Sequence, residues 1–182
     1  MFFTRRGDDG FTDLLGGERQ PKESLRIAAL GDVDEATSSI GLARALARRD
    51  DTKATLLHVQ KDLYLLMADL ATVEGKMAGQ QRLTEAAVLQ LEDIIADFDT
   101  RVTIGKDFVA TGDTVGGAAL DVARAVVRRA ERTVTQLYHT DQGANKTMVT
   151  YLNRLSSLLF GLARYEDSAE GVAPTISKNI HD

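Results

Sequence analysis

The chain has no cysteine, no tryptophan, two prolines and three histidines. Without cysteine there is no disulfide, no thiolate metal site and no thiol nucleophile. The same absence removes any mark of an oxidising compartment, so the cytoplasm is the expected location. The histidines, His58, His139 and His181, do not cluster at metal-ligand spacing. Pro21 and Pro174 lie near the ends, which leaves the long middle free of that helix breaker. No apolar run approaches the roughly 18 residues needed to span a bilayer. The opening MFFTRRGDDG lacks the apolar core of a signal peptide. A net charge of −5 argues against a general nucleic-acid binder, whose surface tends to be basic. Any anion site must therefore be local.

What is present is a single domain's worth of helix. The chain has 182 residues, of which 43% are hydrophobic, enough for one core. Apolar residues recur at spacings of three and four in five segments. The first, about 24–49, carries Val33, Ala36, Ile40, Ala43 and Ala47. Its second face, with Asp34, Ser38, Gly41 and Ala45, is small apart from the acid, so a neighbour can come close. The second, about 52–73, carries Leu56, Val59, Leu63, Leu66, Leu70 and Val73. Leu57, Tyr64 and Met67 widen its stripe, which predicts a central helix buried on more than one side. Asp50, Asp51 and Thr52 supply its break and cap. The third runs from a Thr84 cap to about 101, with Ala87, Leu91, Ile94 and Phe98 inward. The fourth, about 114–140, is capped by Asp113 or Thr114 and stopped at Gly143. The fifth, about 145–167, buries Met148, Leu152, Leu155, Leu159 and Leu162. Its other side shows Lys146, Asn153, Ser157, Phe160 and Arg164. These elements predict an all-α, antiparallel five-helix bundle spanning residues 1–182 as one domain. Residues 1–23 read as a glycine-rich ordered loop that docks through Phe11, Leu14 and Leu15. The tail 168–182 reads as polar and mobile.

The fourth helix carries the chemistry. DVARAVVRRAER, Asp121–Arg132, has four arginines, two acids and no lysine. Arg124, Arg128, Arg132 and Glu131 share a helical stripe with Asp121, and Arg129 sits beside it. Val115, Ala119, Val122, Val126, Ala130 and Leu137 form the opposite, core-facing side. Guanidinium groups suit bidentate gripping of phosphate or carboxylate. A solvated face of Arg–Glu pairs accounts for the same pattern. Asn153, in mid-helix, is a mild cost to helix propensity that a hydrogen bond can offset. Asp34 is either exposed or the partner of an arginine.

Five motifs, in order, make the chain resemble the PduO-type ATP:cob(I)alamin adenosyltransferases. They are Thr4–Gly10 with Thr12, Leu14, Gly16, Gly17, Arg19 and Lys22; Gly31–Gly41; Val59–Ala71; Ala123–Arg132; and Tyr151–Arg164. The resemblance covers residues 3 to 166. It implies a trimeric five-helix bundle that moves the 5′-deoxyadenosyl group of ATP to cob(I)alamin and releases triphosphate. It implies ATP binding by Thr4, Arg5, Arg6, Gly7, Asp8, Gly10 and Lys22, completed by Arg128, Glu131, Arg132 and Asn153 across a subunit boundary. Arg128, Asp34, Arg124 and Phe108 are the implied catalytic set. Arg124 pairs with Asp34 at the interface, and Phe108 displaces the lower axial ligand of cobalt. Magnesium is expected on the phosphates. A cobalamin reductase and an adenosylcobalamin-dependent enzyme are possible partners; nucleic acid and membrane are not.

The pattern is broken in places. Asp9 stands where a lysine is usual, Arg6 for threonine, Thr37 for asparagine, Val127 for cysteine and Ser157 for aspartate. Val109–Gly112 replaces a proline-glycine turn. A carboxylate at position 9 would repel triphosphate unless magnesium bridges them or Arg6 restores the charge. That motivates an alternative: a non-catalytic bundle that carries or senses adenosylcobalamin or a nucleotide. A purely structural oligomer is a third reading, but it leaves the glycine loop, Asn153 and the arginine stripe unrelated.

Overall fold

The structure, a computed structural model, describes residues 3–72, 81–105, 107–140 and 144–177. Its five helices are α1 (Leu25–Leu46), α2 (Asp50–Leu70), α3 (Glu85–Asp99), α4 (Val115–His139) and α5 (Lys146–Ala169). Neighbours across the bundle run α2, α1, α4, α5, α3, with α2 also touching α5. The centre is thus α4, gripped by α1 and α5. The expectation of a central α2 is corrected: its far side is open, with Leu57 and Tyr64 exposed. The expected inner stripe of α2 does hold, since Leu56, Val59, Leu63, Leu66 and Leu70 are fully buried. Each such leucine contributes roughly 1.5–3 kcal/mol. The inner faces expected of α1 and α5 are likewise buried. In α3, Ala87 and Ile94 pack against the core as expected but are partly buried, and Val88 joins Leu91 and Phe98 as a buried residue.

The helix ends are set by local bonds. Glu166 of α5 accepts from the Arg48 and Arg49 amides at 2.8 and 3.2 Å, which fixes the elbow between α1 and α2. α2 starts at Asp50, with Arg49 at the cap position. Asp50 and Asp51 therefore sit inside the first turn, favourable to the helix dipole, rather than before it. α2 ends at Leu70, short of the expected 73, because Ala71 and Thr72 turn to meet Leu15. Thr114 caps α4 by accepting from the Gly117 amide at 2.9 Å. Its hydroxyl also donates to Asp167 at 2.8 Å. A Cβ on Gly117 would stand 2.1 Å from that Asp167 oxygen, so the close approach requires glycine. The expected stop at Gly143, Val73, His181 and most of the 74–81 loop lie outside the described residues.

Three further expectations are corrected. The buried side of α4 is Ala119, Leu120, Ala123, Val127, Ala130, Val134 and Leu137, while Val115 and Val122 are exposed. Two helices pack on α4, so its apolar stripe is wider than one face and alanine-lined. Arg164 and Asp121 are not on open faces. Both are buried and joined at 2.7 Å, with Arg164 also 3.0 Å from buried Asp167. Finally, the tail folds back. Ala110 donates to the Thr175 carbonyl and Ser177 to the Phe108 carbonyl, each at 2.8 Å. Thr175 also bonds Asp113 through its amide at 3.0 Å and its hydroxyl at 2.6 Å.

Candidate functional site

The first half of the site is the N-terminal arm. Its outer part is a hairpin that the sequence did not reveal: β1 (Phe11–Asp13) pairs antiparallel with β2 (Arg19–Pro21). Strands of three residues are too short to show alternation. Gly16 and Gly17, both at positive φ, make the reversal. Leu14 is buried and the Leu15 amide donates to the Ala71 carbonyl at 2.9 Å, so the arm docks on the end of α2. The Phe11 and Leu15 side chains are 41% and 46% exposed, so Leu15 docks through its backbone rather than its side chain.

The turn before β1 carries Thr4, Arg5, Arg6, Gly7, Asp8 and Gly10. Arg5 has φ 63, the left-handed region that a side chain rarely enters. Lys22 donates to the Gly7 carbonyl at 2.7 Å, and a Cβ on Gly7 would lie 3.0 Å from that ammonium. Gly7 therefore lets the cation lie against the turn. Asp9, the departure that raised the carrier reading, is not a bare charge. Arg19 grips both its oxygens, at 2.9 and 3.0 Å. Those bonds, aided by the Phe11 amide, hold the Asp9 carboxyl below its ordinary range. Arg6 is likewise taken, 3.2 Å from Asp13.

The second half is on the other side of α4. A cleft of about 360 Å³ opens between α3, α4 and α5. Arg124, Arg128 and Ser157 line its polar side, and Ile95, Val102, Ile104 and Phe160 its apolar side. Arg128 and Arg132 are exposed, and neither has an ion-pair partner among the described residues. The neighbouring arginines of α4 each lie near an acid. Arg124 lies 3.8 Å from Asp121, and Arg129 ties α4 to Glu35 and Asp32 of α1. Asn153 donates to Glu131 at 2.8 Å and accepts from Arg154 at 2.9 Å, so it has the hydrogen-bonding task its position suggested. Ile95, Val102 and Ile104 were missed by the sequence reading. Their one signal is apolar character on the outer side of α3 and in a connecting segment.

Phe108 is 76% exposed and stands on the segment that contributes Ile104 to the cleft. Asp34 is exposed on α1 and makes no ion pair among the described residues. Arg124 turns to Asp121 instead, so within one chain the Arg124–Asp34 pair does not form. The structure thus brings Arg124 and Arg128 together, and Glu131 with Asn153. It leaves the arm on the α2 side and the cleft on the α3–α5 side, with the bundle between. Among the described residues no group of three or more histidines and acids is arranged to hold a metal. No described helix is long and apolar enough to cross a membrane.

The five-helix bundle thus carries a glycine-rich arm and, at a partly apolar cleft, an arginine with no ion-pair partner among the described residues. Residues 2–166 match the cobalamin adenosyltransferase family, and the chain belongs to it. It is 40% identical over 171 residues to a cobalamin adenosyltransferase of Cupriavidus metallidurans, covering 92% of this chain and 89% of that one. It is 36% identical to a corrinoid adenosyltransferase of Citrobacter freundii, covering 93% and 97%. A solved PduO-type ATP:corrinoid adenosyltransferase from Lactobacillus reuteri, a phenylalanine-to-alanine variant complexed with cobalamin and ATP, superposes with a TM-score of 0.91. That pair is 30% identical over 98% of this chain and 100% of the other. An arginine-to-lysine variant complexed with ATP gives 0.86 at 30% identity, over 97% and 99%.

Proposed function

We propose that the chain transfers the 5′-deoxyadenosyl group of ATP to cob(I)alamin, with each site built from the arm of one copy and the cleft of another. The observation that carries this is that Arg128 and Arg132 have no ion-pair partner among the described residues, while Arg129, Arg154 and Arg164 on the same bundle are each paired. Unpaired guanidinium groups at a cleft are available to phosphate. An electron pair of cobalt(I) forms the cobalt–carbon bond at C5′ on the face away from Phe108, the C5′–oxygen bond breaks, and triphosphate leaves with the electrons of that broken bond. No proton moves to or from the nucleophile, so no general base is required.

The protein's task is alignment and charge. Arg128 and Arg132 stabilise the growing charge of the leaving triphosphate, a contribution of about 10²–10³ in rate for a well-placed donor. Thr4, Arg5, Arg6, Gly7, Asp8, Gly10 and Lys22 bring the nucleotide from the facing arm. Asn153 and Glu131 fix the far edge. Their amide and carboxylate oxygens also suit a hard cation, so magnesium held on the phosphates would meet compatible oxygens there. Phe108, exposed at the rim, takes the lower face of cobalamin. Asp34 supplies Arg124 with a partner across the interface. The exposed apolar residues of α1 and α2, Leu42, Leu46, Leu57 and Tyr64, suit such a contact between copies, and a homotrimer closes it. Because Arg19 meets the charge of Asp9, the motive for a carrier without chemistry falls away. Incubation with ATP and chemically reduced cobalamin should produce the spectrum of adenosylcobalamin and one triphosphate per turnover. Binding of both ligands with no cobalt–carbon bond formed would return the carrier reading.

A further inference from the structure

A carboxylate in a loop that receives polyphosphate works against binding unless its charge is met. Here it is met from within the arm. Arg19 Nη1 donates to Asp9 Oδ2 at 3.0 Å, and Nη2 donates to Oδ1 at 2.9 Å. Nη2 also donates to the Arg6 carbonyl at 2.8 Å. Nε lies 3.6 Å from Asp13, and the guanidinium carbon is 5.5 Å from the centre of the Phe11 ring. A lone exposed ion pair contributes little. This guanidinium is shared among four residues, and its polar edges are occupied by the arm itself. Arg19 could grip a phosphate only by releasing those contacts.

Within the turn itself the backbone bonds are long. Asp8 donates to the Arg5 carbonyl and Gly10 to the Gly7 carbonyl, both at 3.3 Å, and Arg5 is kept at φ 63. Lys22 fastens the turn at the Gly10 carbonyl through its amide at 2.9 Å and at the Gly7 carbonyl through its ammonium at 2.7 Å, and the clasp from β2 fastens Arg6 and Asp9.

We infer that Arg19 is a positioning residue, the pin of the arm, and that Asp9 is its counter-ion rather than a group that meets ATP. Together they shape the turn that presents Gly7, Asp8 and Lys22. The role in nucleotide binding rests on the transferase reading; the pin itself does not. It also depends on the aspartate, since a lysine at position 9 could not accept from Arg19.

The test is amide hydrogen exchange on the full chain for Arg19→Ala, Arg19→Lys, Asp9→Ala and the Arg19→Ala/Asp9→Ala double variant, run beside ATP kinetics. Exchange at Asp8 and Gly10 should rise roughly tenfold in either alanine variant, with α4 and α5 unchanged. The double variant should add nothing, because both changes break one clasp. Lysine should not restore protection, since it lacks the fork. KM for ATP should rise by a similar, roughly tenfold factor in both alanine variants, with kcat nearly constant. Unchanged exchange in Arg19→Ala overturns the pin. So does tighter ATP binding in Asp9→Ala with weaker binding in Arg19→Ala, the pattern of a repelling acid and a phosphate ligand. If the unaltered protein forms no adenosylcobalamin, the transferase reading fails and the exchange data still decide the pin.

Discussion

Arg164 and Arg19 each hold two aspartates, but in opposite surroundings. Around Arg164 the partners are Asp121 and Asp167, and all three side chains are at least 96% buried. Around Arg19 the partners are Asp9 and Asp13, and all three are two-fifths exposed or more. In the buried set, burial pushes the Asp121 carboxyl up despite the pull of Arg164. In the exposed set, the Arg19 bonds pull Asp9 down with little burial to oppose them. The buried set fastens α4 to α5 and is costly to break because a charge would be left in the interior. The exposed set shapes a loop and contributes little to global stability. Arg128 is the third case: exposed like Arg19, but with no ion-pair partner among the described residues. The same residue type thus fastens the core, pins the arm or waits for a ligand, according to burial and partner.

The sharpest way to break this comparison is global stability. Arg164→Ala should lower unfolding free energy by about 3–5 kcal/mol, against less than about 1 kcal/mol for Arg19→Ala, measured by denaturant titration. Equal losses would mean that burial is not what separates the two sets. Arg128→Ala should reduce kcat about 100-fold or more with the unfolding midpoint nearly unchanged. A matching fall in stability would place Arg128 with the structural arginines instead.

The smallest effect is in acid. Asp9 and Asp113 lie below the ordinary aspartate value of 3.8, the latter through the Thr175 hydroxyl and then its amide. Their clasps should be complete above that value and lost as pH falls through their lowered values. Asp121 lies above 3.8, so it takes a proton in the folded state before it would in the unfolded chain. Its contribution therefore favours folding as pH falls through the raised value, the opposite sign. Carboxyl NMR titration would separate the three, and a common direction for all would contradict the distinction.

Much of the fold was legible because period and burial agree where a helix has one buried side. Val33, Ala36, Ile40 and Ala43 on α1 and Leu56, Val59, Leu63 and Leu66 on α2 are all fully buried. The pattern misled on α4, where valines and alanines occur all round and two helices compete for the buried stripe. Asp121 and Arg164 were placed on open faces because a charge pattern carries no sign of a buried partner 43 residues away. The arm's hairpin depends on positive-φ glycines and the docking of Leu14, neither of which has a periodic signature. Glu131 and Asn153, which the motif resemblance names together, do meet in the folded chain. The cleft's apolar wall was not legible, since Ile95 and Ile104 come from different elements that only the folded chain brings together.

The division of the site between copies is tested most directly by mixing. One variant carries Asp8→Ala and Lys22→Ala in the arm, and the other carries Arg128→Ala in the cleft. Each alone should form adenosylcobalamin far more slowly than the unaltered protein. Co-expressed, they should assemble some sites with an intact arm facing an intact cleft, and activity should return well above either parent. Mixed oligomers no more active than their parents would contradict a site shared between subunits.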